Sequence, residues 1–310
     1  GLVGSEMCIR DRIEDDRALP YASENRGVAH KCGHDGHSAA LCALAAEIDR
    51  HGCRSDILFL FQHAEETGCG APVCQKMITD EKPDIIFGWH NMPGFPAGSV
   101  AVHDGTAAFA SRGLVLSFFG KSSHASQPEN GHNPARAISK LIIDIPELTA
   151  REDHRGIVMA TVVCVRIGEE AFGTNAGFGQ LMLTIRAEFE SELDALDAEI
   201  RARACAYARQ DGITNVEVQY RDSFPETRNT PDAVAAVRKA RLECGLPEAR
   251  WDEPFRSSED FGCYTKLTSG ALFYIGCGTR HAKLHTREYD FNDEIIEPAV
   301  DMMFRLAQDA

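Results

Sequence analysis

The 310-residue chain has no apolar run long enough to cross a bilayer. Its longest pieces, ILFLF and GIVMATVVCV, fall well short of the roughly 20 residues a spanning helix requires, so no membrane partner is expected. It has no start methionine, no secretory signal, no internal repeat and no low-complexity linker. Basic residues are in deficit, 32 against 47 acidic ones, for a formal charge of -15. A surface of that sign repels phosphate backbones and anionic headgroups, so nucleic acid is not an expected partner either. Cysteine is not scarce, but the 11 residues show no paired spacing, which argues against a disulfide framework and for a reducing, cytoplasmic compartment.

What is present is enough for a large core. At 310 residues and 44% hydrophobic, the chain can form one large domain or two ordinary ones. The opening GLVGSEMCIRDR has no apolar period and resembles translated adapter sequence. Residues 1–12 are therefore expected to be foreign, with genuine sequence lost upstream.

The spacing of SAALCALAAEIDRHG predicts a helix from Ser38 that stops at Gly52, and the ligand-rich HKCGHDGH stands just before it. DILFLFQ and DIIFGWH are continuously apolar, as buried parallel strands are, and they end at HAEETGCGA and at His90. Open α/β sheets place their sites at such carboxyl ends. After about Ser111 the texture changes. LVLSFFG alternates like a half-exposed strand, NPARAISKLIIDIPELTARED reads as an amphipathic helix, and GIVMATVVCVRIG and QLMLTIRAEFE read as strands. With the helix SELDALDAEIRARACAYARQDG and the strand NVEVQYRDSFP, this is the order of a ferredoxin-like α+β sandwich. The parallel pattern returns with TPDAVAAVRKARLECG, ALFYIG and a closing helix after FNDE. The expected fold class is thus an α/β catalytic domain with a mixed sheet, in two parts at 13–110 and 225–310, interrupted by an inserted α+β domain at 111–224.

Divalent metals need several deprotonated N, O or S ligands converging from different elements. Cys32 and His34 of CGH, Glu65 and Glu66 of AEE, His90 of GWHN and His285 of KLHT offer such a set at loop positions. Each has a plainer reading by itself: a core thiol, a structural histidine, a pair of solvated acids. Their coincidence at strand ends favours the metal reading. In the AEE pair one carboxylate can bind metal while its neighbour faces an activated water as general base.

CGHDGH, FQHAEE, GWHN, GKSSHASQP, SSEDFG and LHTREYDFND, in this order, resemble the metal-dependent amidohydrolases. That family includes hippurate hydrolases, N-acetyl amino acid deacetylases and auxin-conjugate hydrolases, within a larger group of co-catalytic metallopeptidases. The resemblance implies two divalent ions, zinc or manganese, held by Cys32, His34, Glu66, His90 and His285, with Cys32 bridging. It implies Glu65 as the proton carrier for a metal-activated water and His124 of the insert as oxyanion donor. Asn175 and Arg186 resemble contacts to the substrate carboxylate, although Arg186 can also be read as a surface strand residue paired with Glu188 or Glu190. Ser258, Glu259 and Asp260 would line or brace the pocket, and His30, Asp35 and His37 would support the ligands by hydrogen bonds. The implied activity is hydrolysis of an N-acyl amino acid or similar small conjugate by a homodimer paired through the insert. Alternatives are a dipeptidase or aminobenzoyl-glutamate-type hydrolase of the same family, a metal-free thiol enzyme using Cys32, and a metal-binding fragment of impaired activity. Two departures stand out: AGFGQ follows Asn175 where the family reads N-V-I-P, and the usual upstream segment ending like R-A-D-M-D-A-L-P is replaced by the adapter-like peptide.

Overall fold

The structure, a computed structural model, describes residues 2–7, 10–11, 19–25 and 27–309, the first two stretches as backbone only. The chain divides into two compact units, one built from 1–108 and 227–310, the other from 109–226.

The first unit is organised by a five-stranded sheet in the spatial order Leu58–His63, Leu2–Met7, Ile85–Pro93, Ser269–Gly278, Val100–Ala101. The first four strands are parallel neighbours and the last is antiparallel. The continuous apolar runs follow from burial on both faces, because successive side chains of a strand point to opposite sides. Phe87, Trp89, Phe273 and Ile275 face one layer with Leu41 and Leu44 of helix His34–His51 and Met302, Met303 and Leu306 of helix Ile296–Asp309. Ile86, Leu272 and Tyr274 alternate to the other face, against Ile78, Phe261 and Tyr264. Each such large side chain contributes about 1.5–3 kcal/mol on burial.

Leu2–Met7, within the stretch expected to be foreign, pairs along its length with Leu58–His63 and at Leu2 and Val3 with Ile86 and Phe87. Strand pairing uses backbone groups that every residue but proline carries, so the interior position of the sheet is filled. Residues 1, 8, 9 and 12 of that stretch lie outside the described residues.

In the second unit the strands Ala110–Phe119, Val158–Ile167, Phe178–Ala187 and Asn215–Phe224 form an antiparallel sheet in which Ala110–Phe119 and Phe178–Ala187 are central. Helices Ala135–Thr149 and Glu190–Gln210 cover one face, with Ile138, Leu141, Leu196 and Ile200 packed on Leu114, Leu116, Leu181 and Leu183. Strand and helix alternate in the ferredoxin-like order β-α-β-β-α-β. The half-exposed reading of LVLSFFG does not hold: Leu114 to Phe118 are all buried and only Phe119 opens to solvent, since the strand has a neighbour on each side. Among the described residues no helix is long and apolar enough to cross a membrane.

Candidate metal centre

The helix predicted from Ser38 begins four residues earlier, at His34, so the second half of the ligand-rich stretch, His34 to His37, forms its first turn. Gly33 makes this possible. Its φ of 104° is left-handed, and a Cβ there would meet Asn91 Oδ1 at 2.4 Å and the Tyr289 hydroxyl at 2.7 Å. Glycine alone fits that bend against that surface, and Cys32 and His34 flank it. His90 lies inside a strand that runs on to Pro93 rather than at its end, because Asn91 and Met92 continue the ladder with Ile275 and Gly276. Glu65 and Glu66 sit on the short 3-10 turn Glu65–Thr67, entered through Ala64 at a φ of 54°.

These elements bring donor atoms together in three groups, each spanning no more than 4.8 Å: Cys32 with His34 and His90, Cys32 with Glu66 and His285, and His34 with Glu65 and Glu66. Cys32 belongs to two of them. His285 Nε2 stands 3.2 Å from Glu66 Oε1, and His34 Nε2 stands 3.8 Å from Glu65 Oε2. The His90 ring donates from Nδ1 to the carbonyl of Asn91 at 2.7 Å, which leaves Nε2 as the lone-pair nitrogen, 3.4 Å from the Cys32 sulfur. A ring oriented in this way is the usual condition of a metal-ligating histidine.

Burial decides the charge states. It pushes His34 down to about 3, with the neighbouring His90 adding to the effect, and His90 down to about 4. Both rings are therefore neutral around pH 7, the form in which imidazole ligates. Neutral imidazoles, a thiol and carboxylates in one pocket are a donor set that suits a borderline cation better than magnesium or calcium. Burial, followed by the nearby Glu259, Asp260 and Glu66, holds the Glu65 carboxyl well above the usual range. Glu259 is raised to about 8 and Asp260 to about 6, burial leading in both.

Several supporting residues carry no sequence signal of their own. Gln62 donates to both oxygens of Asp260 at 2.8 and 2.9 Å and accepts from the Tyr264 hydroxyl, and the Ala71 amide donates to Asp260 at 2.9 Å. The Glu259 and Glu65 side chains share a hydrogen bond. Glu259 and Asp260 thus brace the turn that carries Glu65. Asn91 accepts from His37 Nε2 at 2.7 Å and donates to the Tyr289 hydroxyl at 2.7 Å, which in turn reaches the carbonyl of Cys32 at 3.4 Å. His37 is thereby committed to support, while His30 and Asp35 face each other at 4.0 Å and are outside the three groups.

The remaining predicted residues lie in the second unit. His124 and Asn175 are on paired two-residue strands, Ser123–His124 and Thr174–Asn175. His124 is exposed, its Nδ1 bonded to the Ser126 hydroxyl at 2.7 Å. Asn175 is held by Asn133, which donates to it at 2.8 Å, and by Ser123, which accepts from it at 3.0 Å. Arg186 sits half-buried on a central strand opposite Ser111 and Met159, and burial lowers its pKa.

Residues 11–309 match the family described as Peptidase family M20/M25/M40. The hippurate hydrolase of Campylobacter jejuni is 27% identical over 303 residues, covering 95% of this chain and 78% of that protein. The N-acetyldiaminopimelate deacetylase of Bacillus licheniformis is 28% identical over 305 residues, covering 94% and 78%. Among solved structures, a dinuclear metal binding peptidase from the M20 family of Bacillus subtilis superposes with a TM-score of 0.81 at 20% identity, covering 99% of this chain and 80% of that one. The aminobenzoyl-glutamate utilization protein from Klebsiella pneumoniae gives 0.71 at 20% identity, covering 99% and 71%. At these identities the structural likeness speaks to fold.

Proposed function

The chain belongs to peptidase family M20/M25/M40, and from that premise we propose that it is a two-metal amidohydrolase acting on N-acyl amino acids or similar small conjugates. The observation that carries this reading is the sharing of Cys32 between two donor triplets. One ion would be held by Cys32, His34 and His90 and the other by Cys32, Glu66 and His285, with zinc or manganese suited to that mixture of donors. When bound, such ions supply a water of lowered pKa and a Lewis acid for the scissile carbonyl. Glu65, the acid beside ligand Glu66, takes the proton given up by the attacking water and returns it to the departing amine. Burial, followed by the acids behind it, raises its pKa, the direction that suits a group that both accepts and releases a proton.

On the second unit, Arg186 and Asn175 would bind the substrate carboxylate, the guanidinium through paired hydrogen bonds. His124 would donate to the oxyanion of a partner chain in a homodimer. Support for pairing comes from Val158–Ile167, which lies at the sheet's edge with Val162, Val163 and Val165 open to solvent. The relatives named for hippurate and N-acetyldiaminopimelate support a small N-acyl amino acid as substrate.

The test is a screen of N-acetyl and N-benzoyl amino acids and of dipeptides with manganese or zinc, alongside metal analysis. Two ions per chain, turnover that a chelator stops and added metal restores, and faster cleavage of N-acyl amino acids than of dipeptides are expected. Turnover indifferent to chelation would instead assign the chemistry to the Cys32 thiol.

A further inference from the structure

Of the five donors in the two triplets, His285 is the least anchored by packing: its side chain is 37% exposed, against 12% for Glu66, while Cys32, His34 and His90 are buried. It also has a φ of 61°, a left-handed backbone that a non-glycine residue keeps only where its surroundings impose it. Something must therefore hold the backbone of this loop. Lys31 does so at three points. Its own carbonyl accepts the His285 amide at 2.7 Å, and its ammonium donates to the carbonyl of Arg287 at 3.1 Å and to that of Tyr289 at 2.9 Å.

Lys31 is itself only 2% exposed. An ammonium taken out of water is strongly unfavourable unless its N–H groups are satisfied, and with three donors and no acceptor it suits a cluster of carbonyls. An apolar side chain of similar reach would fill the same volume without gripping either carbonyl. We propose that Lys31, adjacent in the chain to Cys32, is a positioning residue that sets His285 against Glu66 and Cys32 by clamping the backbone of residues 285–289. This rests on the two-ion reading of the site. Lys31 touches no reacting atom and acts through His285.

The test is titration of metal-free protein with Co2+, followed by its d–d absorption and by the sulfur-to-metal band that reports Cys32. Wild type should take up two equivalents. Lys31→Met should keep one affinity and weaken the other by roughly 10- to 100-fold, the usual effect of removing a group that orients a ligand. In a His285→Ala background the same substitution should change nothing further, because no ring remains to be positioned. Unchanged affinities in Lys31→Met, equal weakening of both sites, or further weakening on top of His285→Ala would each overturn the inference. If Lys31→Met does not fold, Lys31→Gln is read by the same criteria. Wild type that saturates below two equivalents overturns the two-ion reading itself, whereas two equivalents with an indifferent Lys31 overturns this inference alone.

Discussion

Glu65 and Glu66 are neighbours with different surroundings, and substitution should separate them. Glu66 shares a donor triplet with Cys32 and His285, whereas Glu65 is backed by Glu259. Glu65→Gln should keep both ions and lose on the order of 10²- to 10⁴-fold in kcat, the contribution of a positioned proton carrier. Glu66→Gln should lose metal, and equal metal loss in the two variants would show the roles wrongly divided. The same cluster gives the metal-free protein a pH dependence. His34 and His90 lie below the ordinary 6.5, at about 3 and about 4, so the unfolded chain binds more protons there and stability rises with pH up to 6.5. Glu259 and Asp260 are raised to about 8 and about 6, so the folded chain binds more protons and stability falls as pH rises towards 8. Below 6.5 the two slopes oppose each other; from 6.5 to about 8 only the fall remains. Thermal unfolding of metal-free protein should show that fall, and a melting temperature that rises between pH 6.5 and 8 would contradict it. The donors were legible because cysteine, histidine and paired acids stand out against apolar runs. Gln62, Asn91 and Lys31 were not, since a single polar residue inside a strand or turn carries no period.

Among the elements, the entry to helix His34–His51 is the most exacting. Gly33→Ala would place a methyl group 2.4 Å from Asn91 Oδ1 in a left-handed conformation that costs about 1–2 kcal/mol without glycine. The variant should lose stability in thermal unfolding and bind both ions more weakly, because Cys32 and His34 flank the bend. Retained affinity would mean that the bend does not place the ligands. The strands of the first unit are legible in the sequence because burial on both faces leaves an unbroken apolar run, as in Ile85–Pro93. LVLSFFG reads as half-exposed because Ser117 breaks its apolar run. Yet Ser117 is buried and accepts a hydrogen bond from Gln180 at 3.0 Å. The helical spacing is legible only from Ser38 because the histidines before it have no apolar period, although the backbone of His34 and His37 is already helical.

For the whole molecule, the proposed dimer makes a prediction that neither unit makes alone. Glu65→Gln and His124→Ala homodimers should each be nearly inactive. If His124 serves the partner's site, a heterodimer of the two retains one site with both groups intact, and activity should return on co-refolding. A mixture that stays inactive would place His124 in its own chain's chemistry. The first unit also has a property set by its connectivity. Its central strands Ile85–Pro93 and Ser269–Gly278 are partners in space, yet the entire second unit lies between them in the chain. On a ribosome the second unit is finished while Ser269–Gly278 is still unmade, so the sheet behind His90 waits with one flank open. Cys32, His34 and His90 are all synthesised before the insert and His285 long after it. Two of the three donor groups, Cys32 with His34 and His90 and His34 with Glu65 and Glu66, are therefore complete in the emerging chain well before His285 supplies the last donor of the third.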